Sequence, residues 1–204
     1  MGISLGLVGL GSFGSSFAPL FSAHPLVDRI ALCDAAGAKV KDVLKNPIVG
    51  RKVNSNDVFE NYEDMLKTDV DAIVLITQPW LHAPQALQAM ERGKDVYSAV
   101  PILSVPDGDE ILEWCDKLVN ASLSTGKHFM LGETTYYHAD TVHARNLAEQ
   151  GVFGHFIHAE GDYWHSFDWD PADLREVSKQ RTTGNIGEQA AAMMQKYLDK
   201  GIRS

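Results

Sequence analysis

Short apolar segments alternate with amphipathic ones along most of the chain. The apolar segments cover residues 3–10, 29–34, 72–77, 95–99 and 128–131. They are too short for typical helices and stand beside glycine or other loop-forming residues, which favours strands. Segment 72–77 shows no polar alternation, so the pattern predicts a strand that is covered on both faces.

Amphipathic segments separate these predicted strands. Their apolar spacing predicts helices over residues 12–23, 35–44, 62–66, 84–92 and about 107–122. Pro19 lies inside the first of them and is expected to kink it. Residues 46–56 are rich in Pro, Gly and Asn and are predicted to form a loop. Strands and helices in this alternating order predict an α/β fold with a doubly wound parallel sheet.

The order of elements changes after Glu133. We expect a helix over about residues 140–150, a half-exposed strand over 154–164 and an amphipathic helix over about 187–198. The pattern therefore predicts two domains. Residues 1–132 form the doubly wound domain, and residues 133–204 form a second, shortened α+β domain.

Composition narrows the class of protein. The 204 residues are 45% hydrophobic, which is ordinary for a globular chain. The formal net charge is −9 without a visible basic patch, so we expect no nucleic-acid partner. No apolar segment is long enough to span a membrane, and the first residues lack the basic region of an export signal. Cys33 and Cys115 suit reduced thiols, so we expect a cytoplasmic protein without a membrane partner.

The strongest motif lies where the first predicted strand turns into the first predicted helix. Its residues are Gly9, Gly11, Ser12, Phe13 and Gly14, with Leu10 inside the turn. The first glycine permits a tight turn, the second lets the backbone approach a pyrophosphate, and the third lets helix and strand pack closely. The backbone N–H groups at the helix start would bind the phosphates. A glycine-rich turn without a ligand is the plainer alternative.

Asp34 strengthens the prediction of a dinucleotide site. It lies 20 residues beyond Gly14, at the end of the second predicted strand, where a carboxylate can accept hydrogen bonds from the adenosine ribose. Its charge would oppose a 2′-phosphate, and the nearest cation in the sequence is Lys39. The prediction is a Rossmann domain that binds NAD in preference to NADP.

With these residues in place, the chain resembles the Gfo/Idh/MocA family of NAD(P)-dependent oxidoreductases. Segment 77–82 is similar to the family's Thr-Pro-Asn-x-x-His stretch, and segment 160–165 is similar to the strand that opens its second domain. The resemblance implies hydride transfer on a small polar substrate such as a sugar or polyol. It also implies that Thr77, Pro79 and His82 border the nicotinamide, although Pro79 and His82 could instead only cap and start a helix.

The chain departs from the family where the chemistry is expected. The family's Glu-Lys-Pro segment is replaced by Ala99-Val100-Pro101, and Val100 cannot transfer a proton. No histidine follows His165, so the family's late Asp-x-x-x-His motif is missing. We therefore assign no catalytic residue. One alternative is a non-catalytic dinucleotide-binding or assembly protein, and another is an enzyme that uses NAD transiently for hydrolysis or elimination.

Two other groups of residues suggest weaker hypotheses. His158, Glu160 and Asp162 would share one face of a strand, but a solvated polar face is favoured over a metal site. Aromatic residues follow in segment 164–169 and suit a subunit interface better than a sugar-binding surface. We expect no metal, and we expect a homo-oligomer such as a dimer, whose partner subunit completes the second domain unless that domain is truncated.

Overall fold

The computed structural model describes residues 2–160. These residues fall into two compact units, which divide between Gly132 and Glu133. The first unit carries the sheet and the glycine-rich motif. No helix among residues 2–160 combines the length and the apolar character needed to cross a membrane.

A six-stranded parallel sheet forms the centre of the first unit, with the order β3-β2-β1-β4-β5-β6. Its strands are β1 (Ile3–Val8), β2 (Val27–Cys33), β3 (Val58–Phe59), β4 (Ala72–Leu75), β5 (Asp95–Ser98) and β6 (Phe129–Leu131). The chain winds outward from β1 to β3, returns to the centre at β4 and winds outward again to β6. The predicted doubly wound α/β fold is confirmed.

Helices connect the parallel strands, as crossover connections between parallel strands require. They are α1 (Ser12–Ala23), α2 (Gly37–Leu44), α3 (Pro47–Gly50), α4 (Tyr62–Leu66), α5 (His82–Glu91) and α6 (Gly108–Thr125). The predicted loop over residues 46–56 contains α3, because the Asn46 side chain accepts from the Ile48 N–H at 3.0 Å and Pro47 occupies the first turn. Pro19 lies inside α1 without ending it.

The core lies on both faces of the sheet. Ile73 and Leu75 of β4 pack into a cluster with Met90 of α5. Val74, between them, faces the opposite side and packs in a second cluster with Leu7 of β1. All of these side chains are buried. Successive residues of a strand point to opposite faces, so a continuous apolar run is what a sheet covered on both sides requires.

The second unit contains two helices in its described part. A 3-10 helix covers Thr134–Tyr137, and α7 covers Ala139–Glu149. The strand predicted over 154–164 is wrong for residues 154–160, which form turns and irregular backbone and are exposed. Residues 133–160 contain no strand with which this segment could pair, and a strand needs such a neighbour. The predictions for residues 161–204, including the helix over 187–198, lie outside the described residues.

Candidate functional site

The strand order creates a crevice at the carboxyl edge of the sheet. β1 and β4 are neighbours, but the chain leaves β1 towards β2 and leaves β4 towards β5. The connections after these two strands therefore run to opposite sides, and the space between them is where open α/β sheets bind their ligands. Thr77 follows β4 at this edge, and Gly9 follows β1.

The glycine-rich turn is packed tightly against its surroundings at its first and third glycines. Gly9 has φ of +91°, and its N–H donates to the carbonyl oxygen of Cys33 at 2.9 Å. A Cβ on Gly9 would overlap the backbone of Ile76, and a Cβ on Gly14 would overlap the carbonyl oxygen of Gly9. These two glycines let the turn lie between the end of β4 and the first turn of α1.

Gly11 has different surroundings. A Cβ built on it meets no atom of the described residues within 4 Å. Gly11 is the N-cap of α1, and no side chain among residues 2–160 caps this end of the helix. Ser12 and Phe13, which begin α1, are exposed. Free amides at the start of a 12-residue helix, with the helix dipole behind them, form a site that suits a pyrophosphate.

Asp34 organises the region between β2 and the glycine-rich turn. Its Oδ2 accepts from the Leu10 N–H at 2.8 Å, and its Oδ1 accepts from the Ala36 N–H at 2.8 Å. The Nζ of Lys39 lies 3.7 Å from Oδ2. Each carboxylate oxygen can accept more than one hydrogen bond, so the group keeps capacity for ribose hydroxyls. The sequence indicated Asp34 but not its bond to the turn.

His82 and Thr77 are held in a network behind the crevice. The Thr77 hydroxyl donates to Gln85 Oε1 at 2.7 Å. His82 is 2% exposed, with Nε2 at 3.0 Å from the Thr77 carbonyl oxygen and Nδ1 at 2.7 Å from that of Pro101. A neutral imidazole can donate to one of these oxygens, and an imidazolium can donate to both.

This burial changes the interpretation of His82. Its ring joins the segment after β4 to the segment after β5 and leaves little of its own surface exposed, so the structure gives it a positioning role for the Thr77 segment. It is also the first residue of α5, while Pro79 is half-buried in the connection before that helix. Gln85 and the carbonyl of Pro101 were missed by the sequence reasoning, because only the folded chain brings them to Thr77 and His82.

Val100 occupies the position expected of the family's lysine. It follows β5 at the carboxyl edge, is 44% exposed, and precedes Pro101 in a cis peptide bond. An aliphatic side chain there can neither donate nor accept a proton. Cys33 cannot take the place of the lysine as a reactive group. Burial raises the pKa of its thiol to about 12 and keeps it in its protonated, non-nucleophilic form.

The remaining candidates lie in the second unit or beyond it. His158 Nε2 is 3.8 Å from Glu160 Oε2, and both side chains are exposed. No group of three or more potential metal ligands occurs among residues 2–160. Asp162 and the aromatic residues of segment 164–169 lie outside the described residues.

Glu133 caps the 3-10 helix by accepting from the Thr135 N–H at 2.9 Å, and hydrogen bonds from Thr135 lower the pKa of its carboxyl group.

Comparison with known proteins identifies the family. The model of an oxidoreductase family with an NAD-binding Rossmann fold, Gfo/Idh/MocA, matches residues 3–126. The chain belongs to this family. The predicted membership is thereby confirmed, and the crevice described above lies in the part of the chain that matches the family's dinucleotide-binding fold.

Curated relatives of this family member are named as glycosyl hydrolases. Glycosyl hydrolase family 109 protein 5 of Phocaeicola vulgatus is 35% identical over 176 residues, which are 82% of this chain and 32% of the relative. Glycosyl hydrolase family 109 protein 1 of Shewanella sp. strain ANA-3 is 29% identical over 178 residues, covering 84% of this chain and 37% of the relative. The chain thus spans about a third of their length.

Two solved structures of similar fold were determined with a bound dinucleotide. Scyllo-inositol dehydrogenase from Lactobacillus casei with bound NAD(H) and scyllo-inositol is 25% identical, with a TM-score of 0.64 over 76% of this chain and 43% of that one. A 3-ketoreductase from Actinomadura kijaniata, determined with NADP and TDP-benzene, is 20% identical, with a TM-score of 0.61 over 74% of this chain and 43% of that one. The second likeness concerns the fold alone.

Proposed function

We propose that this chain binds NAD at the carboxyl edge of its sheet and acts as an oxidoreductase on a sugar, a polyol or another small polar molecule. The observation that carries the proposal is the backbone at Gly11, where no residue of 2–160 approaches the Cβ position or caps the start of α1. In the same turn, a Cβ on Gly9 or on Gly14 would overlap neighbouring backbone. An enclosed turn with one open position beside free amides is what phosphate binding requires.

The site fits the rest of the cofactor as well. Asp34 lies at the end of β2 with carboxylate capacity for ribose hydroxyls. Ser12 and Phe13 contribute backbone N–H groups, and the segment containing Thr77 and Pro79 forms the opposite wall. Bound NAD would supply a hydride acceptor, and the crevice between the two walls would hold the carbinol or carbonyl carbon of the substrate.

The substrate class is supported by two kinds of relative. One structural neighbour holds scyllo-inositol, a polyol, and the curated relatives are named as glycosyl hydrolases, which act on sugars. Both names point to hydroxyl-rich rings. A substrate of this kind suits an acidic, polar protein better than a nucleic acid does.

A second candidate function is cleavage of a glycoside with NAD used transiently. The names of the curated relatives favour it. In such a reaction, NAD takes a hydride from a substrate carbon and later returns it. Between these steps the leaving alcohol departs with a proton and a hydroxyl group from water takes its place, so the net change is hydrolysis and no NADH accumulates. A third candidate, a binding protein without chemistry, is favoured by Val100, which replaces an ionisable residue at the exposed position after β5.

One set of experiments separates the three functions. Titration of the full chain with NADH, followed by nicotinamide fluorescence, tests the cofactor site. Incubation with NAD and a panel of polyols and sugars is then monitored for NADH formation, and a panel of nitrophenyl glycosides is monitored for nitrophenolate. NADH formation supports the oxidoreductase, and nitrophenolate release that requires NAD supports the hydrolase. Tight NADH binding with neither product supports the binding protein, and no binding contradicts all three.

A further inference from the structure

Two acidic residues, Asp34 and Glu60, directly follow neighbouring strands and lie at the same level of the sheet edge. β2 ends at Cys33 and β3 ends at Phe59, and these two residues are paired in register. The N–H of Asp34 donates to the carbonyl oxygen of Phe59 at 3.2 Å. The backbone of Glu60, which follows Phe59, therefore lies beside that of Asp34. This is the end of the crevice that is assigned to the adenosine ribose.

The carboxylate of Glu60 lies against the first residue of α2. A Cβ built on Gly37 would be 2.5 Å from Glu60 Oε1 and 3.5 Å from Glu60 Cδ, so the absence of a side chain at Gly37 leaves room for this carboxylate. α2 has eight residues, no acidic residue in its first turn and no side-chain cap on Ala36. Glu60 therefore places a carboxylate beside the N-terminus of α2, whose own first turn has none.

The charge of Asp34, in contrast, is already balanced. Its carboxylate accepts hydrogen bonds from the N–H groups of Leu10 and Ala36 and has the Lys39 ammonium 3.7 Å away. The pair of Asp34 and Lys39 is neutral overall, and the Lys39 side chain is 40% exposed. A 2′-phosphate near this pair would meet a cation as well as an anion, so Asp34 does not account for selection against NADP by itself.

We propose that Glu60 is the specificity-determining residue that disfavours a 2′-phosphate and so selects NAD. The inference rests on the proposed dinucleotide site. The amides at the start of α2 and the nearby Lys39 would otherwise attract a phosphate attached to a ribose that Asp34 holds. Glu60 brings a carboxylate to that position, and its negative charge repels a dianionic phosphate. NADH carries only an uncharged 2′-hydroxyl there, so the charge has little effect on its binding.

The test compares two nucleotides that differ only in this phosphate. Glu60→Gln keeps the shape of the side chain and removes its charge. NADH and NADPH are titrated into the full-length chain, and binding is followed by nicotinamide fluorescence. We expect the Kd of NADPH to fall by roughly tenfold in Glu60→Gln and the Kd of NADH to change by less than about twofold. Glu60→Ala should show the same shift in ratio and provides a second folded variant.

Asp42→Asn is the matched control, because it removes the same charge from the other end of α2. Asp42 is 68% exposed and pairs with Lys45. We expect its ratio of NADH to NADPH affinity to equal that of the unsubstituted chain. Thermal unfolding followed by circular dichroism verifies that all variants fold.

The outcomes distinguish this inference from the proposed function. An unchanged affinity ratio in both Glu60 variants overturns the inference and leaves the dinucleotide site in place. An equal gain in Asp42→Asn also overturns it, since net charge would then be sufficient, and so does an unsubstituted chain that prefers NADPH. If the unsubstituted chain and all variants bind neither nucleotide, the proposed function fails and the inference fails with it.

Discussion

Gly14 lies directly against Gly9, so that a Cβ on Gly14 would overlap the Gly9 carbonyl oxygen. Gly11, between them, has no atom of residues 2–160 within 4 Å of the same position. The lack of a side chain therefore has a different role at Gly14 than at Gly11. Gly14 is needed for the chain to fold into this turn, and Gly11 is free of any such requirement within the described structure.

Substitutions at these two glycines should separate folding from binding. Gly14→Ala should lower the free energy of unfolding by about 2–3 kcal/mol, because the added methyl group meets backbone that cannot move aside cheaply. Gly11→Val should cost about 1 kcal/mol as a poorer N-cap and should abolish NADH binding. Urea unfolding and NADH titration measure the two effects. A folded Gly11→Val chain that keeps its NADH affinity would contradict the assignment of the phosphate site.

Asp34→Ala should affect both stability and cofactor binding. It leaves the N–H groups of Leu10 and Ala36 without their acceptor, which should cost about 1–3 kcal/mol of unfolding free energy. NADH affinity should fall by roughly tenfold or more, since hydrogen bonds to the ribose are lost as well. Asp34→Asn keeps one acceptor oxygen and should lie between the two. If NADH affinity stays at its original value in Asp34→Ala, Asp34 does not belong to the site.

His82→Ala should destabilise the fold through two carbonyl groups. The ring of His82 is the partner of the Thr77 and Pro101 carbonyl oxygens, and it is almost fully buried. We expect a loss of about 2–4 kcal/mol in urea unfolding, from the cavity and the unpaired acceptor together. His82→Gln retains a donor and should recover part of the loss. Equal stability of His82→Ala and the unsubstituted chain would show that neither contact is formed.

Asp71 should make the stability of the first unit depend on acidic pH. Hydrogen bonds from the Ser4 hydroxyl and N–H lower the pKa of Asp71 below its ordinary value of 3.8. A pKa that is lowered on folding stabilises the protein above the unfolded value, and this contribution is lost as the pH falls through the folded value. The stability difference between the unsubstituted chain and Asp71→Asn should therefore be largest at neutral pH.

The measurement is urea unfolding of both proteins at neutral pH and at several values below 3.8. The difference in unfolding free energy should shrink over that acidic range, because the protonated carboxyl group of Asp71 and the amide that replaces it in the variant are both uncharged. A difference that stays constant with pH would mean that Asp71 does not titrate differently in the folded and unfolded chains.

The two cysteines should differ in reactivity. Burial raises the pKa of the Cys33 thiol to about 12, and the side chain is 3% exposed, while Cys115 is partly exposed. Iodoacetamide should therefore label Cys115 at least about tenfold faster than Cys33 in the native protein, as measured by peptide mass spectrometry. The chain unfolded in urea is the control, and both thiols should react alike there. Rapid labelling of Cys33 in the folded protein would disagree with the packing of β2.

Much of the sheet was predictable because strands that are buried on both faces have continuous apolar sequences. β4 and β1 are examples, since each is a continuous apolar run beside a turn. β3 was missed because its two residues are too few to form a pattern. The strand predicted over 154–164 failed over its described residues for the opposite reason, because alternation was present but residues 133–160 hold no partner strand.

The site was predictable only where a local motif carries it. Gly9, Gly11 and Gly14 stand at fixed spacing, and the strand–turn–helix context predicted for them is confirmed. Glu60 and Gln85 could not be found in this way. Glu60 reaches α2 only because β3 pairs with β2, and Gln85 reaches Thr77 only because α5 folds back beside β4. Such contacts depend on topology and leave no trace in the spacing of residues.

The brevity of β3 has a further consequence for the behaviour of the protein in concentrated solution. β3 forms one border of the sheet, and a border strand exposes unpaired N–H and C=O groups on which a strand of another molecule can grow. Two residues offer too small a template for such growth. This border is thereby protected against the edge-to-edge association that leads to aggregates.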